Sequence, residues 1–275
     1  MTAYAQGRGF RLAIDAQPVR GPAGERFGKG TGSSMEFQEF RDYQAGDDLR
    51  HVDWRAYART ETLTTRLYRE EVAATVELII DGSRSMGVLP DKRARCHELS
   101  CFLAGAASGD AGLRAFHARE ALIPLEAASL QDPQPLACDA ETPLSDVPLG
   151  GALRAGTIRI VLSDFLFPCD PRALVRRLHG RAHRLLLLQL LDPHELEPNA
   201  RGNLRLQEVE TGQDRELPVD DATVRRYRER LERHCRSLAE EAQRAGADFL
   251  QVSAGLTLDQ IARQVLSPAA VVVPR

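Results

Sequence analysis

From residue 75 onward the apolar positions fall into short unbroken runs separated by stretches of helical period. Residues 75–81 (Thr-Val-Glu-Leu-Ile-Ile-Asp) are β-branched and apolar, end in Asp81 and run into Gly-Ser-Arg-Ser-Met. That pattern predicts a buried strand followed by a tight loop. Residues 157–164 predict a second strand that also ends in an acid, Asp164, and residues 182–191 a third. Helices are predicted over 93–107, with Cys96, Leu99, Phe102, Leu103 and Ala106 on one face, over 171–179, and over 222–245. Asp220 and Asp221 can cap the last of these, and Val224, Tyr227, Leu231, Cys235, Leu238 and Ala242 mark its apolar stripe. Short strands over 113–117 and 121–125, a short helix over 149–155, a hairpin over 204–219, a strand over 247–252 and a helix over 256–265 complete the pattern. Residues 126–147 are rich in loop formers, and no internal repeat is visible. Strand–helix alternation of this kind implies a three-layer, Rossmann-like α/β domain with a mainly parallel sheet and helices on both faces.

The first part of the chain reads differently. Residues 1–34 have little periodicity, and 21–34 (GPAGERFGKGTGSS) read as a flexible loop. Residues 35–70 hold Phe37, Phe40, Tyr43, Trp54, Tyr57 and Tyr68 among many charges, with too few aliphatic side chains for a core of their own. They predict a compact, irregular segment, so the chain divides into an N-terminal extension, 1–71, and a sheet domain, 72–275.

Composition removes several classes of function. The 275 residues carry 36 Lys and Arg against 39 Asp and Glu, a formal charge of −3, which gives no global reason to bind nucleic acid or an anionic membrane. The helix bearing Arg225, Arg226, Arg228, Arg230, Arg233 and Arg236 also carries Glu229, Glu232, Glu240 and Glu241, as expected of a solvated face laced with ion pairs. Only Lys29 and Lys92 are lysines, against 34 arginines, which reads as base-composition bias. No apolar run approaches the roughly 18–20 residues of a membrane span, and the first residues lack the apolar core of a signal peptide. A cytoplasmic location is expected. The five cysteines (Cys96, Cys101, Cys138, Cys169 and Cys235) are scattered and read as buried thiols. There is no GxxxxGK[ST] phosphate loop, so any ATPase involved is a separate protein.

The candidate chemistry lies where the two acidic strands end. In an open parallel sheet, ligands bind beyond the C-terminal strand ends. If the strands are neighbours, Asp81 and Asp164 share one crevice, and the period-two spacing of Asp81, Ser83 and Ser85 turns one carboxylate and two hydroxyls toward one point. Hard oxygen donors of this kind suit Mg²⁺ or Mn²⁺, with water in the remaining positions. The Asp-x-Ser-x-Ser loop resembles the metal-ion-dependent adhesion site of von Willebrand factor A domains. That resemblance implies a site of Asp81, Ser83, Ser85 and Asp164 holding Mg²⁺ (or Mn²⁺ or Ca²⁺), open to an acidic residue of a partner protein. The family's ligating Thr aligns with Val147, which cannot ligate; this leaves Ser145, Asp146 or Thr142 as stand-ins, or a weak or absent metal.

A second resemblance is carried by residues 40–55 (FRDYQAGDDLRHVDWR), with Ala58-Arg59 and Tyr68-Arg69-Glu70-Glu71 downstream. This stretch resembles the signature of the DUF58 family, whose members carry it just before an A-type domain. Asp192-Pro193, Glu195, Glu210 and the helix of Tyr227 fit the family's C-terminal half. Members often occur beside MoxR-type AAA ATPases, which implies a non-enzymatic adaptor or co-chaperone role. Read from its residues alone, the segment is a charged and aromatic clasp: Arg41, Arg50, Arg55 and Arg59 intermix with Glu39, Asp47, Asp48 and Asp53, around a Gly46-Asp47-Asp48 turn. Two alternatives stand beside the cation-modulated adaptor. One is a metal-free interaction module in which the Asp and Ser residues only cap and hydrogen-bond the loop. The other is a serine hydrolase using Ser85, with Asp164 and one of His179, His183 or His194; Ser83 occupies the first Gly position of a nucleophile elbow and weakens it.

Overall fold

The apolar runs of the sequence become neighbouring strands of one sheet that pair edge to edge, while helices cover both of their faces. The computed structural model describes residues 2–13, 35–44, 52–70, 75–109, 112–209 and 212–275. Its elements run α1 (Ala3–Gly7), β1 (Phe10–Leu12), β2 (Met35–Asp42), α2 (Trp54–Thr60), β3 (Thr64–Glu70), β4 (Thr75–Asp81), α3 (Pro90–Ala107), β5 (Gly112–Ala118), β6 (Leu122–Leu125), β7 (Ile158–Ser163), α4 (Pro171–His179), β8 (Arg184–Leu191), α5 (Pro193–Leu196), β9 (Gly202–Gln207), β10 (Asp214–Val219), α6 (Asp221–Arg244), β11 (Asp248–Ser253), α7 (Leu258–Gln260) and β12 (Val272–Pro274). Contacts divide the chain into two units, Met1–Ala16 with Ala74–Arg275, and Gln17–Ala73. The first residues of the expected extension therefore group with the sheet.

The six-stranded sheet has the order β11-β8-β7-β4-β5-β6, parallel except for β6, which returns antiparallel to β5. Val76, Leu78 and Ile80 of β4 face α3 and the C-terminal helical segment, while Ile79 faces the α4 and α6 side. This is the expected Rossmann-like three-layer arrangement, with burial on both faces explaining why the strands read as continuous apolar runs. The chain leaves β4 toward β5 on one side, and β7 lies on the other. The point where the strand order reverses is thus the gap between the ends of β4 and β7, where a crevice opens in such folds.

Several local expectations change. Helix α3 starts at Pro90, a residue suited to a first helical turn because it has no N–H to leave unpaired. Residues 149–155 make only a 3₁₀ turn, Gly150–Ala152, because two adjacent glycines, Gly150 at φ +45°, do not sustain a helix. The last helix is a single α turn capped by Thr257 and Gln260 that widens into a π-helix, Ile261–Leu266. Two short elements were not expected: β1 pairs with β12, and α1 lies against α3. A Cβ at Gly7 would fall 2.0 Å from the Phe102 carbonyl oxygen and one at Gly105 2.2 Å from that of Tyr4, so these two glycines permit the backbones to touch.

In the smaller unit, the described residues 35–44 and 52–70 are not irregular. β2 and β3 form an antiparallel pair with a bulge between Phe37 and Glu39, which breaks the period-two alternation that would have marked the strand. Asp53 caps α2, its Oδ1 accepting from the N–H groups of Arg55 and Ala56 at 3.0 Å, and so serves the helix end. Trp54 and Tyr57 meet edge to face at 6.3 Å and remain largely exposed. The expected loop over 21–34 and the turn and charge pattern of 45–51, with Asp47, Asp48 and Arg50, lie outside the described residues. Among the described residues, no helix is long and apolar enough to cross a membrane.

Candidate functional site

The loop after β4 is fixed by backbone pairing on both sides. Gly82 donates to the Ala118 carbonyl at 2.8 Å, and Ser83 bridges Ala140, with Arg84 N–H reaching the Ala140 carbonyl and Ala140 N–H the Gly82 carbonyl. A side chain at position 82 would meet His117, whose Nε2 lies 2.4 Å from the place of a Cβ. Within this frame Asp81 is fully buried. Its Oδ1 accepts from Ser83 N–H at 2.9 Å and its Oδ2 from the Ser163 hydroxyl at 2.5 Å. The hydroxyls of Ser83 and Ser85 lie 3.1 Å apart and bond to each other.

β7 delivers the second acid as expected. Asp164 is fully buried, its Oδ1 accepting from Leu166 N–H at 3.0 Å and its carbonyl from Gln189 at 2.8 Å. The next residue, Phe165, sits at φ +53° although it is bulky and fully buried. Such a conformation costs on the order of 1–3 kcal/mol and persists only where surrounding contacts over-determine it. Here Ser163 Oγ accepts from Phe165 N–H, and His234 of α6 contacts the Phe165 carbonyl at 2.6 Å.

The structure adds a cation to the site. Lys92, in the first turn of α3, is fully buried and directs its ammonium to Asp164 Oδ2 at 2.8 Å, Glu195 Oε1 at 2.7 Å and the Ser85 carbonyl at 3.2 Å. Those three bonds use all the protons an ammonium has to donate. Burial acts to lower the Lys92 pKa, but Asp164 and Glu195 together outweigh it and hold the value above that of an ordinary lysine. Glu195 is positioned by α5: its Oε2 accepts from Asp192 N–H at 2.7 Å in a capping box, and the Tyr227 hydroxyl of α6 donates to the Glu195 carbonyl at 2.7 Å. The sequence signal for Lys92 is its rarity among 34 arginines, which by itself reads as base-composition bias.

The four expected ligands therefore converge on one edge of the sheet, but they do not fit an adhesion-site metal. Both oxygens of Asp81 and both of Asp164 already accept hydrogen bonds, and one of those donors is a buried ammonium. A divalent ion at about 2.0–2.6 Å from the Asp164 carboxylate would compete with that ammonium for the same oxygen. Val147, at the position of the ligating Thr, is fully buried in the core on the α4 and α6 face. No described contact brings Thr142, Ser145 or Asp146 to the carboxylates. Among the described residues no cluster of three or more His, Cys, Asp or Glu side chains is arranged to hold a metal.

Burial, followed by the charge of Asp164, pushes the Asp81 carboxyl up to about 6, against the lowering effect of Ser163 and Ser83. A folded pKa above the ordinary carboxyl value means that the folded state holds this proton more tightly than the unfolded chain. The associated stability is present below about pH 4 and is lost as the pH rises through about 6. Asp81→Asn is expected to flatten that slope. At about pH 8 it is expected to stabilise the protein by about 1–2 kcal/mol, the pKa shift at ~1.4 kcal/mol per unit less ~1 kcal/mol for a weakened Ser163 bond. Urea unfolding at two pH values measures this.

The chain matches the family described as "Protein of unknown function DUF58" over residues 39–237. Uncharacterized proteins of Mycobacterium bovis and Mycobacterium tuberculosis are 26% identical to it over 250 residues, covering 83% of this chain and 78% of theirs. Among solved structures, the conserved hypothetical protein BatB of Bacteroides thetaiotaomicron aligns at 12% identity and a TM-score of 0.36, over 72% of this chain and 98% of that one. An aerotolerance-related membrane protein of Bacteroides fragilis aligns at 12% and 0.34, over 65% and 91%. Both scores lie below the level at which a fold is shared in detail.

Proposed function

This chain belongs to the DUF58 family, and from that membership we propose that it is a non-enzymatic adaptor that docks a MoxR-type AAA ATPase, or the client of one, on the sheet edge where β4 and β7 end. The observation that carries the reading is the state of Ser85. Its hydroxyl is bonded to another hydroxyl, and no described imidazole is hydrogen-bonded to it. Of the histidines a hydrolase would need, His183 precedes β8 and His179 ends α4, beside the N-terminal end of the sheet and a strand's length from Ser85. His194 is on the same side as Ser85 but is exposed. A nucleophile without a base is weak, whereas a loop pinned by backbone bonds and buried charges makes a rigid platform for another protein. Above that platform, Val88 is 52% exposed in the turn between Ser85 and α3, and Arg84 pairs with Glu141 at the surface.

The partner class comes from the resemblance of residues 40–71 to proteins found beside such ATPases. A purified MoxR-type ATPase passed over the immobilised full chain is the test. Retention is expected in Mg²⁺ and in EDTA alike, with Val88→Asp weakening it at least about tenfold, the loss typical of one central contact. Equal retention by a folded Val88→Asp protein would move the docking surface elsewhere; no retention by the unaltered chain would remove the partner.

A further inference from the structure

The charges at the β4–β7 gap pose a question of balance. Asp164 and Glu195 share one ammonium, and Asp81 is fully buried beside Asp164; burying such charges without compensation would be prohibitive. In an adhesion site that compensation is a divalent ion. Here the nearest positive charge is covalently attached to the protein. We propose that the Lys92 ammonium is the resident cation of this site: it pairs with both Asp164 and Glu195 where a divalent ion would otherwise sit, and the site takes up Mg²⁺ or Mn²⁺ only when that lysine is removed.

Three observations carry this. The ammonium is completely enclosed and fully bonded, with acceptors on three separate elements: the loop after β4, the end of β7 and α5. It is also placed against the usual preference, since Lys92 lies in the first turn of an 18-residue helix, where the backbone dipole already presents positive charge and disfavours a cation. Its location is therefore not explained by the helix and needs the carboxylates. Finally, the chain uses arginine at 34 of its 36 basic positions and lysine here. An ammonium is a compact point charge with three donors, whereas a planar guanidinium needs a wider, forked set of acceptors. The inference stands on this geometry and does not require the adaptor reading.

The test uses the full chain, MgCl₂ and MnCl₂ alone as probes, and two readouts: titration calorimetry and the thermal midpoint. The unaltered protein is expected to show no saturable metal binding at millimolar concentrations and the same Tm in Mg²⁺ and in EDTA. Lys92→Ala leaves the carboxylates and the Ser83 and Ser85 hydroxyls facing vacated space. It is expected to lower Tm, to bind Mn²⁺ saturably and to recover part of the lost Tm when metal is added. Lys92→Gln, which keeps a hydrogen-bonding group one atom short of the ammonium and without its charge, is the second variant should the alanine protein fail to fold. A metal-induced rise in the Tm of the unaltered protein would overturn the proposal. So would a folded Lys92→Ala or Lys92→Gln protein that binds neither ion.

Discussion

Replacing Glu77 by Gln is expected to cost about 3–5 kcal/mol of unfolding free energy, the usual penalty for breaking a buried ion pair from one side. Glu77 lies in the middle of the sheet on β4 and is fully buried. Its Oε1 accepts from Arg114 Nη1 at 2.7 Å and from Arg154 N–H at 2.8 Å. Its Oε2 accepts from Thr157 Oγ1 at 3.0 Å and from Arg159 Nε and Nη2 at 3.1 and 2.8 Å. Arg159 is itself 1% exposed, so a neutral amide would strand a buried guanidinium and present an NH₂ group to donors that have nowhere to turn. The position is about 13 Å along the strand from Asp81, four residues at ~3.3 Å each. The loss should therefore appear in the denaturant midpoint without any change at the crevice, which makes the variant a control for effects of general destabilisation on partner binding.

Lys92→Met is expected to cost a similar ~3–5 kcal/mol, for a different reason. Methionine fills the lysine channel, so packing is largely kept, but Asp164 is left with an unbalanced charge in a fully buried position. Adding Asp164→Asn to Lys92→Met should return about 1–3 kcal/mol, the coupling expected of two directly bonded side chains. Urea titrations of the two single variants and the double variant supply the cycle. Additive losses would mean that the 2.8 Å contact does not bind the two energetically.

The large features of this fold were legible because they follow from burial. Strands covered on both faces read as apolar runs, and their terminal acids, Asp81 and Asp164, could be assigned to one edge before their neighbours were known. What escaped has physical causes. Three-residue strands such as β1 and β12 are too short to show a period, and their pairing joins residues at opposite ends of the chain. The bulge at Phe37 and Glu39 hid β2. At the site, local spacing places Asp81, Ser83 and Ser85 in one loop, but whether a carboxylate is open to an ion depends on what else reaches it. Lys92 and Glu195 arrive from elements 72 and 31 residues away from Asp164 (164 − 92 and 195 − 164), a proximity that no motif encodes. Val147 shows the converse: a motif match aligned it with a ligand, whereas its environment is the core.

The sheet's two flanks are unequal, and this gives any aberrant self-association a direction. One flank is β6, four residues that include Pro124, so an arriving chain finds little backbone there with which to extend the ladder. The other is β11, six residues long and aligned in register with β8 throughout. Templated growth by a destabilised population would start from β11, and a charge or a proline introduced there is the change that would blunt it.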